Sequence, residues 1–299
     1  MGIAWVFPGQ GSQKLGMAEG LLELPDARRR FGEASERLGR DLLAICAGSN
    51  LATAGDPRDL NDTRNTQPAL FVVESLLVDG LKAQGRTAQL VAGHSLGELV
   101  ALYAANVFDV STGLELIQRR SELMAAAGGG AMTAVIGFER CALERLVAST
   151  EAVVIANDNS RSQVVLSGTP AAVAQVVGAL PCKRAIPLAV SGPFHSPLMH
   201  DAATSFEALL ESIPFADATI PVLSNTDPSP QTDARVLKDL LARQMVSGVR
   251  WRETMAQFAT HQIHTVVEIG PGHVLSGLVK RDLEGLVTAR IANAKDLGF

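Results

Sequence analysis

The chain has 299 residues, of which 47% are apolar and 19% are charged. This composition is typical of a globular protein of one large domain, or of a large and a small one, and it excludes a disordered chain. The formal net charge of −5, with no run of basic residues, argues against a nucleic-acid-binding protein.

Three scattered cysteines, Cys46, Cys141 and Cys182, give neither a disulfide framework nor the spacing of a metal site. No apolar run approaches the ~20 residues that span a bilayer, and the first residues lack the pattern of a secretory signal. Since unpaired cysteines are typical of a reducing compartment, we expect a cytoplasmic protein.

The first predicted element is a buried strand, "IAWVF" at residues 3–7, which a Pro-Gly pair stops. A helix is predicted over residues 68–85, with proline at its start and glycine past its end. A second buried strand, residues 88–93, leads through the tight turn "GHSLGE" into an apolar helix, residues 96–107. Strand, turn and helix in this order predict the βα unit of a parallel sheet.

The middle of the chain has a different pattern, which begins after three consecutive glycines. Strands are predicted over residues 131–138, 151–157, 162–168 and 183–190, and helices over residues 139–150 and 170–180. The order βαββαβ predicts a ferredoxin-like subdomain inserted into a larger α/β domain, which resumes with a helix after Pro197. We predict that residues 1–127 and 196–299 form the larger domain and that residues 128–195 form the subdomain.

Ser95 lies inside a G-x-S-x-G motif between the buried strand and the apolar helix. That context predicts a nucleophile elbow, in which the serine is exposed on a strained turn at the start of a helix. The backbone N–H of Leu96 could then face an oxyanion. The alternative is that Ser95 is an N-cap and that Gly93 and Gly97 only pack closely. The strand before the motif and the helix after it favour the nucleophile.

A serine nucleophile needs a base, and the sequence offers six histidines. His195 alone lies in a loop tightly bounded by glycine and prolines, "VSGPFHSPLM", directly after a predicted strand. His195 is therefore the candidate base, although a loop histidine with a packing role would show the same pattern. His94 is more simply interpreted as a packed histidine.

Two arginines share the predicted helix at residues 111–124, whose N-cap we place at Ser111 or Thr112. Arg119 lies on the charged face, whereas Arg120 lies on the apolar stripe with no acidic neighbour on its own helix. A buried guanidinium without a partner is costly. Either a protein carboxylate from elsewhere or a ligand carboxylate should therefore meet Arg120.

Taken together, the motifs "FPGQGSQ", "GHSLGE", Arg-x-x-x-Met, "FH" and "EIGPGHVLSGL", in this order, resemble the malonyl-CoA:acyl-carrier-protein transacylases, the acyltransferase family of fatty-acid and polyketide synthesis. The resemblance runs from about residue 6 to residue 279. It implies an α/β-hydrolase-like core with a ferredoxin-like subdomain, and an enzyme that is an acyl-carrier-protein S-malonyltransferase.

The resemblance also implies roles for individual residues. Ser95 would be the acylated nucleophile, His195 its base, and Arg120 the group that binds the malonyl carboxylate. The backbone N–H groups of Gln10 and Leu96 would form the oxyanion hole.

The same resemblance implies two further roles, and the chain departs from the family pattern at two positions. The main chain of Arg250 would orient His195 in place of an acidic triad residue, and Phe194 would exclude a 2-methyl branch from the substrate. Glycine often follows the family arginine, but this chain has Ser121. Some members have glutamine before the tryptophan where this chain has Arg250.

The expected partners are malonyl-CoA and an acidic acyl carrier protein that binds transiently, and no metal or redox cofactor is expected. A monomer is predicted. Candidate cations for a carrier-docking rim are Lys183, Arg184, Arg252, Lys280 and Arg281. The alternatives are a malonyl transacylase of a polyketide or other malonyl pathway, a serine hydrolase or thioesterase with an acidic triad residue, and a docking subunit that has lost its chemistry.

Overall fold

The computed structural model describes residues 2–48, 56, 58–190 and 192–298. Its strands are β1 (Gly2–Phe7), β2 (Leu90–Gly93), β3 (Ala131–Phe138), β4 (Val153–Ser160), β5 (Gln163–Gly168), β6 (Cys182–Pro187), β7 (Val222–Leu223), β8 (Ile263–Ile269) and β9 (Val287–Ile291). Its helices are α1 (Ala27–Leu38), α2 (Leu42–Ala47), α3 (Thr63–Ala83), α4 (Gly97–Ala104), α5 (Val110–Ala126), α6 (Arg140–Ala148), α7 (Pro170–Ala179), α8 (His200–Ser212), α9 (Ala234–Arg243), α10 (Trp251–Thr260) and α11 (Val274–Asp282).

The larger sheet has five parallel strands in the order β7-β2-β1-β8-β9. Its central strand β1 is buried on both faces because helices cover both sides. Trp5 and Phe7 pack in the cluster that contains α3, α4 and α5, whereas Ala4 and Val6 pack in the cluster that contains α10 and α11. A strand buried on both faces explains the continuous apolar run in the sequence.

The smaller sheet is antiparallel, with the order β4-β5-β3-β6, and α6 and α7 pack in its own apolar cluster. This strand order, with the element order βαββαβ, is that of a ferredoxin-like unit, so the predicted fold class is confirmed. All four strands lie within residues 128–195, the range predicted for the subdomain. The exact bounds of the two domains stay a prediction. In the described part of the chain, no helix combines the length and hydropathy needed to cross a membrane.

Helix α3 begins at Thr63, so the predicted start at Pro68 was wrong. Asp62 caps the helix by accepting a hydrogen bond from the backbone N–H of Arg64. Pro68 has no N–H to donate to the carbonyl oxygen of Arg64. That oxygen instead accepts a hydrogen bond from Nη2 of Arg40, at 2.8 Å. A side chain from elsewhere thus replaces the missing bond and lets the helix pass through the proline.

Two other local predictions were wrong. Helix α5 is capped by Asp109, whose carboxylate accepts from the N–H of Thr112, rather than by Ser111 or Thr112. Strand β4 continues to Ser160, three residues beyond the predicted end at residue 157. The extension is held from outside the small sheet, because the N–H of Asp158 donates to the carbonyl of Val249 in the larger domain.

Strand β4 therefore connects the small sheet to the larger domain. Val249, just before α10, donates its N–H to the carbonyl of Ala156 and accepts from Asp158. Nε of Arg252 lies 2.9 Å from the carboxylate of Asp158, and Nε2 of His94 lies 2.8 Å from Oδ1 of Asn159. The loop before α4 is thus held against the small sheet.

Helix α3 carries a buried carboxyl group to which the sequence assigns no catalytic role. Glu74 on α3 is fully buried, and neither of its carboxyl oxygens has a hydrogen-bond partner among the residues described. The adjacent carboxylate of Glu268 accepts hydrogen bonds from Leu275 and Ser276 at the start of α11. Burial first, and then repulsion by Glu268, raise the pKa of Glu74 well above its usual value.

This burial predicts a pH-dependent stability. Because the pKa of Glu74 is higher in the folded than in the unfolded chain, its stabilising contribution is full below about pH 4 and is lost as the pH rises through the folded-state pKa. The free energy of unfolding should therefore fall with rising pH by up to about 1.4 kcal/mol per unit above pH 5. Urea titrations of wild type and Glu74→Gln test this, and equal slopes in both proteins would contradict it.

Candidate active site

The turn after β2 has the strained geometry of a nucleophile elbow. Ser95 has a φ of 54°, in the left-handed region that side chains rarely adopt. A Cβ atom on Gly93 would lie 1.8 Å from the carbonyl carbon of Gly97, and one on Gly97 would lie 2.2 Å from the carbonyl oxygen of Phe7. The two glycines are therefore required for strand and helix to pass. Helix α4 has Leu96 as its N-cap, so the alternative role of Ser95 as a cap was wrong.

His195 reaches the hydroxyl of Ser95 from the loop that follows the small sheet. Its Nε2 lies 2.8 Å from Oγ of Ser95, and its Nδ1 lies 3.0 Å from the carbonyl oxygen of Gln244. A carbonyl oxygen only accepts, so Nδ1 carries the proton and Nε2 is the acceptor that faces the serine. His195 also has a positive φ, 57°, and is 3% exposed. The pair is arranged as a nucleophile and its general base.

The predicted role of Arg250 was wrong, because the carbonyl that binds His195 belongs to Gln244. The carbonyl of Arg250 accepts from the N–H groups of Glu253 and Thr254 in the first turn of α10. Its guanidinium forms an ion pair with Glu253. Arg250 thus starts a helix, whereas Gln244 opens a short 3-10 turn after α9, and its carbonyl accepts from the N–H of Ser247 as well as from His195.

The buried position of His195 has an electrostatic consequence. Burial, followed by the positive charge of Arg120, lowers the pKa of His195 to about 3, against a smaller opposing effect of the Gln244 carbonyl. The imidazole is therefore neutral, and able to take a proton, throughout the neutral and mildly acidic range.

We expect the rate of Ser95 acylation to change less than about twofold between pH 7.5 and 5.5, because His195 stays neutral. A histidine with the usual pKa of ~6.5 would lose about tenfold over this range. Single-turnover acylation measured by rapid quench, with a fluorescence check that the chain remains folded, tests this. A tenfold loss centred near pH 6.5 would contradict it.

Arg120 lies on α5 with its guanidinium at the base of the same pocket, 1% exposed. Its Nη1 donates to Oε1 of Gln67 at 2.6 Å, and its Nη2 donates to Oε1 of Gln244 at 2.8 Å and to Oγ of Ser95 at 3.2 Å. Within the described residues, Nε of Arg120 has no hydrogen-bond partner. Burial lowers the pKa of Arg120 to about 10, so the group remains charged at neutral pH.

The partner expected for the buried Arg120 is either a protein carboxylate or a ligand carboxylate. In the part of the chain that the structure describes, no carboxylate forms an ion pair with Arg120. Glu98 is near, but the side chain of Gln244 lies between the two, donating its Nε2 to Glu98 at 2.7 Å. Arg120 is thus a buried cation that neutral amides hold beside Ser95, and a guanidinium in that position has the donors to pair with a carboxylate.

Two residues of this site were missed in the sequence. Gln244 contacts Ser95, Arg120 and His195. Besides its bonds to Arg120 and His195, its Nε2 donates to the carbonyl of Ser95 at 3.0 Å. Asn225 accepts from the N–H of Ser95 at 2.7 Å and donates to the carbonyl of Gly93 at 2.6 Å, which holds the strained turn. Asn225 could have been found, because it follows β7 and ligand sites lie at the carboxyl ends of parallel strands. Gln244 has no comparable signal.

The pocket that opens above Ser95 is lined by the other predicted site residues. Gln10, Leu96 and Phe194 all line it, together with Met132 and Leu188 of the small subdomain. In the described chain, neither the backbone N–H of Gln10 nor that of Leu96 has a hydrogen-bond acceptor. Both residues thus bring a backbone donor with no acceptor to the lining of the pocket.

The fold and this site define a class of protein, the α/β enzymes that transfer acyl groups through a serine ester. A family model described as the acyl transferase domain matches residues 4–296, and the chain belongs to that family.

Two known transacylases are similar to this chain over nearly their whole length. The malonyl CoA-acyl carrier protein transacylase of Synechocystis sp. is 46% identical over 297 residues, 99% of this chain and 99% of the relative. The transacylase of Escherichia coli is 37% identical over 300 residues, 97% of this chain and 95% of the relative.

Solved structures agree with this. The crystal structure of the Synechocystis transacylase has a TM-score of 0.94 at 46% identity, and covers 100% of this chain and 99% of that one. A malonyl-transacylase solved in complex with its type II polyketide-synthase acyl-carrier protein has a TM-score of 0.91 at 38% identity, covering 99% of this chain and 98% of that one.

Proposed function

We propose that this protein transfers the malonyl group of malonyl-CoA to the phosphopantetheine thiol of an acyl carrier protein, through a malonyl ester on Ser95. The observation that carries the proposal is the buried guanidinium of Arg120, whose Nη2 lies 3.2 Å from Oγ of the serine and which has no carboxylate partner in the described chain. Malonyl thioesters carry a free carboxylate a short distance from the reacting carbonyl, and acetyl thioesters do not. The names and identities of the full-length relatives support the same activity.

The acylation step follows from the geometry. The malonyl carboxylate pairs with Arg120 while His195 takes the proton of Ser95, whose oxygen attacks the thioester carbonyl. The resulting oxyanion is bound by the N–H groups of Gln10 and Leu96, and such donors are worth roughly 3–4 kcal/mol each in other enzymes. His195 returns the proton to the departing sulfur, CoA leaves as its thiol, and the serine holds a malonyl ester.

The second step repeats the first with another thiol. The phosphopantetheine thiol of the carrier gives its proton to His195 and attacks the serine ester, so that a thioester forms and the serine is regenerated. Transesterification of this kind moves protons and acyl groups only, and the proposed mechanism uses no metal or redox cofactor. The acyl carrier protein bound in the related complex supports this partner class.

We propose that the acyl carrier protein docks on the basic rim of the cleft. Among its candidate cations, Arg252 already pairs with Asp158, and Nε of Arg281 donates to the carbonyl of Gly277 on its own helix. Lys183 and Arg184 are exposed on β6 and form no ion pair with any described residue. The docking surface therefore includes the β6 side of the cleft in preference to α10.

A pulse-chase experiment tests the proposal. The enzyme is incubated with radiolabelled malonyl-CoA, freed of excess substrate, and then given either holo carrier protein or buffer. We expect label to stay on the enzyme in buffer and to move to the carrier within one turnover. Rapid release of free malonate in buffer would instead indicate a thioesterase. A thioesterase is disfavoured here because His195 is oriented by a carbonyl and not by a carboxylate.

We also propose that Phe194 limits the acyl group to malonyl. Its ring is 5% exposed and lines the pocket beside Ser95, where a 2-methyl branch would need space. Phe194→Ala is expected to raise kcat/KM for methylmalonyl-CoA relative to malonyl-CoA by about tenfold, since a cavity of several methylene groups opens. Competition between the two thioesters, read by mass spectrometry of the acyl-enzyme, measures the ratio. An unchanged ratio would mean that Phe194 packs in the core and does not select the acyl group.

A further inference from the structure

The last residue of the motif "GHSLGE", Glu98, is a carboxyl group buried beside the active site. It lies in the first turn of α4 and is 1% exposed. Its Oε2 accepts hydrogen bonds from the backbone N–H of Asn225 at 3.0 Å and from Nε2 of Gln244 at 2.7 Å. Burial raises the pKa of Glu98, and hydrogen bonds from Ser224 and Gln244 oppose that effect. Each of these partners is a donor, as an ionised carboxylate requires.

A single side-chain amide separates Glu98 from the guanidinium of Arg120. Oε1 of Gln244 accepts from Nη2 of Arg120 at 2.8 Å, while Nε2 of the same amide donates to Glu98. An amide has one accepting end and one donating end, so it joins a cation to an anion in this direction only. No ion pair connects Glu98 with Arg120 in the described chain. The two opposite charges are therefore neighbours with an amide between them.

This arrangement balances the charge of Arg120 in the enzyme without substrate. Burial lowers the pKa of Arg120, and the charge of Glu98 opposes that effect. A buried guanidinium with no opposite charge nearby would be costly. Because the counter-charge lies one amide away, Arg120 still lines the pocket and still donates to Oγ of Ser95 at 3.2 Å. The guanidinium is thus stabilised and yet remains able to pair with a ligand.

The same carboxylate opposes a second anion in the site. A ligand carboxylate paired with Arg120 would lie near Glu98 as well, and the three groups would then carry two negative charges and one positive charge. Like charges repel more strongly in a buried site than in water, because the effective dielectric constant is lower. Gln67, the other side-chain partner of Nη1, is a neutral amide and adds no charge. Glu98 therefore weakens the binding of a ligand carboxylate.

We infer that Glu98 is a positioning residue that limits how tightly Arg120 binds the malonyl carboxylate, acting through the amide of Gln244. The inference rests on the proposed function, which makes a malonyl thioester both the substrate and the product. A buried guanidinium without a counter-charge would hold the malonyl carboxylate in the product as firmly as in the substrate. A carboxylate one amide away stabilises Arg120 before the substrate binds and lets the malonyl group leave after transfer.

Glu98→Gln tests this role, because it removes the charge and keeps the shape. The amide oxygen of the new side chain can accept from Asn225 and Gln244, as the carboxylate oxygen does. Single-turnover acylation of Ser95 by malonyl-CoA and by acetyl-CoA gives the half-saturating concentration and the maximal rate. We expect the half-saturating concentration of malonyl-CoA to fall about tenfold, and that of acetyl-CoA to stay within about twofold. The maximal rate should not rise, because the pairing is the same before and in the transition state.

Glu74→Gln is the matched control for this substitution. Glu74 is also fully buried, and neither of its carboxyl oxygens has a hydrogen-bond partner among the residues described. It lies on α3 and contributes no hydrogen bond to the described active site. This variant should keep both constants for both thioesters within about twofold of wild type. A gain in affinity that is confined to malonyl-CoA and to Glu98→Gln is not the result of a general loss of packing.

Free malonate supplies a second measurement, which also covers a variant that folds poorly. Without the charge of Glu98 the guanidinium has no counter-charge, so Glu98→Gln should unfold at a lower temperature than wild type. Malonate should raise the thermal transition of the variant by more than that of wild type, relative to sodium chloride at equal ionic strength, because the variant binds it more tightly. If the variant folds only in malonate, the difference between the two salts decides. Equal transitions of the variant in both salts would overturn the inference.

The outcomes separate this inference from the proposed function. Wild-type enzyme that is not acylated by malonyl-CoA would overturn the proposed function. Acylated wild type, together with an unchanged or higher half-saturating concentration of malonyl-CoA in Glu98→Gln, would overturn the role of Glu98 alone. Equal changes for malonyl-CoA and acetyl-CoA would assign the effect to the packing of the site and also overturn that role.

Discussion

Replacement of Ser95 by alanine is expected to lower kcat for malonyl transfer by about 10⁴-fold or more and to abolish the acyl-enzyme. The hydroxyl accepts from Arg120 and lies 2.8 Å from Nε2 of His195, so no other described group can replace it at the end of that proton path. Transfer from radiolabelled malonyl-CoA to holo carrier, followed over minutes to hours, measures the loss.

Ser167→Ala is the matched control for this substitution. Ser167 lies on β5, is fully buried, and its hydroxyl has no hydrogen-bond partner in the described structure. Its removal should leave kcat within twofold of wild type and the thermal transition nearly unchanged. Malonyl transfer by Ser95→Ala at a normal rate would contradict the mechanism, because the ester would then be carried by some other group.

Replacement of Arg120 by methionine is expected to lower the ratio of kcat/KM for malonyl-CoA to that for acetyl-CoA by about 100-fold or more. The malonyl carboxylate would be buried without a cation, whereas the acetyl group has no carboxylate to desolvate. Removal of the guanidinium also removes one of the causes that lower the pKa of His195. Both substrates use the same base, so the ratio isolates the effect on the carboxylate.

Arg119→Met on the same helix is the matched control. Its guanidinium lies on the solvent side, 3.8 Å from the carboxylate of Glu122, and exposed pairs of this kind contribute little to stability. This variant should keep the wild-type ratio of malonyl to acetyl acylation, measured by competition and mass spectrometry. A wild-type ratio in Arg120→Met as well would mean that Arg120 does not bind the substrate carboxylate.

Local sequence patterns were sufficient to predict the strained turn at Ser95 and the two-sheet architecture. The glycines around Ser95 are required by atomic contacts between consecutive elements, and such contacts leave a motif in the sequence. The ferredoxin-like unit was predicted because each of its elements has its own periodicity. Arg120 could be distinguished from Arg119 by helical phase alone.

Contacts between distant segments could not be predicted in the same way. The start of α3 depends on Arg40, which replaces the hydrogen bond that Pro68 cannot donate. The carbonyl that orients His195 belongs to Gln244, and a backbone carbonyl has no residue type that marks it. Asn225 is joined to Ser95 across 130 positions of sequence. These contacts are decided by the packing of the folded chain.

The central claim is that Ser95 holds a malonyl ester whose far carboxylate pairs with Arg120. The most direct measurement is peptide mapping of the enzyme quenched in acid after a brief exposure to malonyl-CoA. One malonyl group should be found on the peptide that contains Ser95, and it should be lost on addition of holo carrier. A malonyl group on another residue, or an unmodified Ser95 during active transfer, would contradict the account.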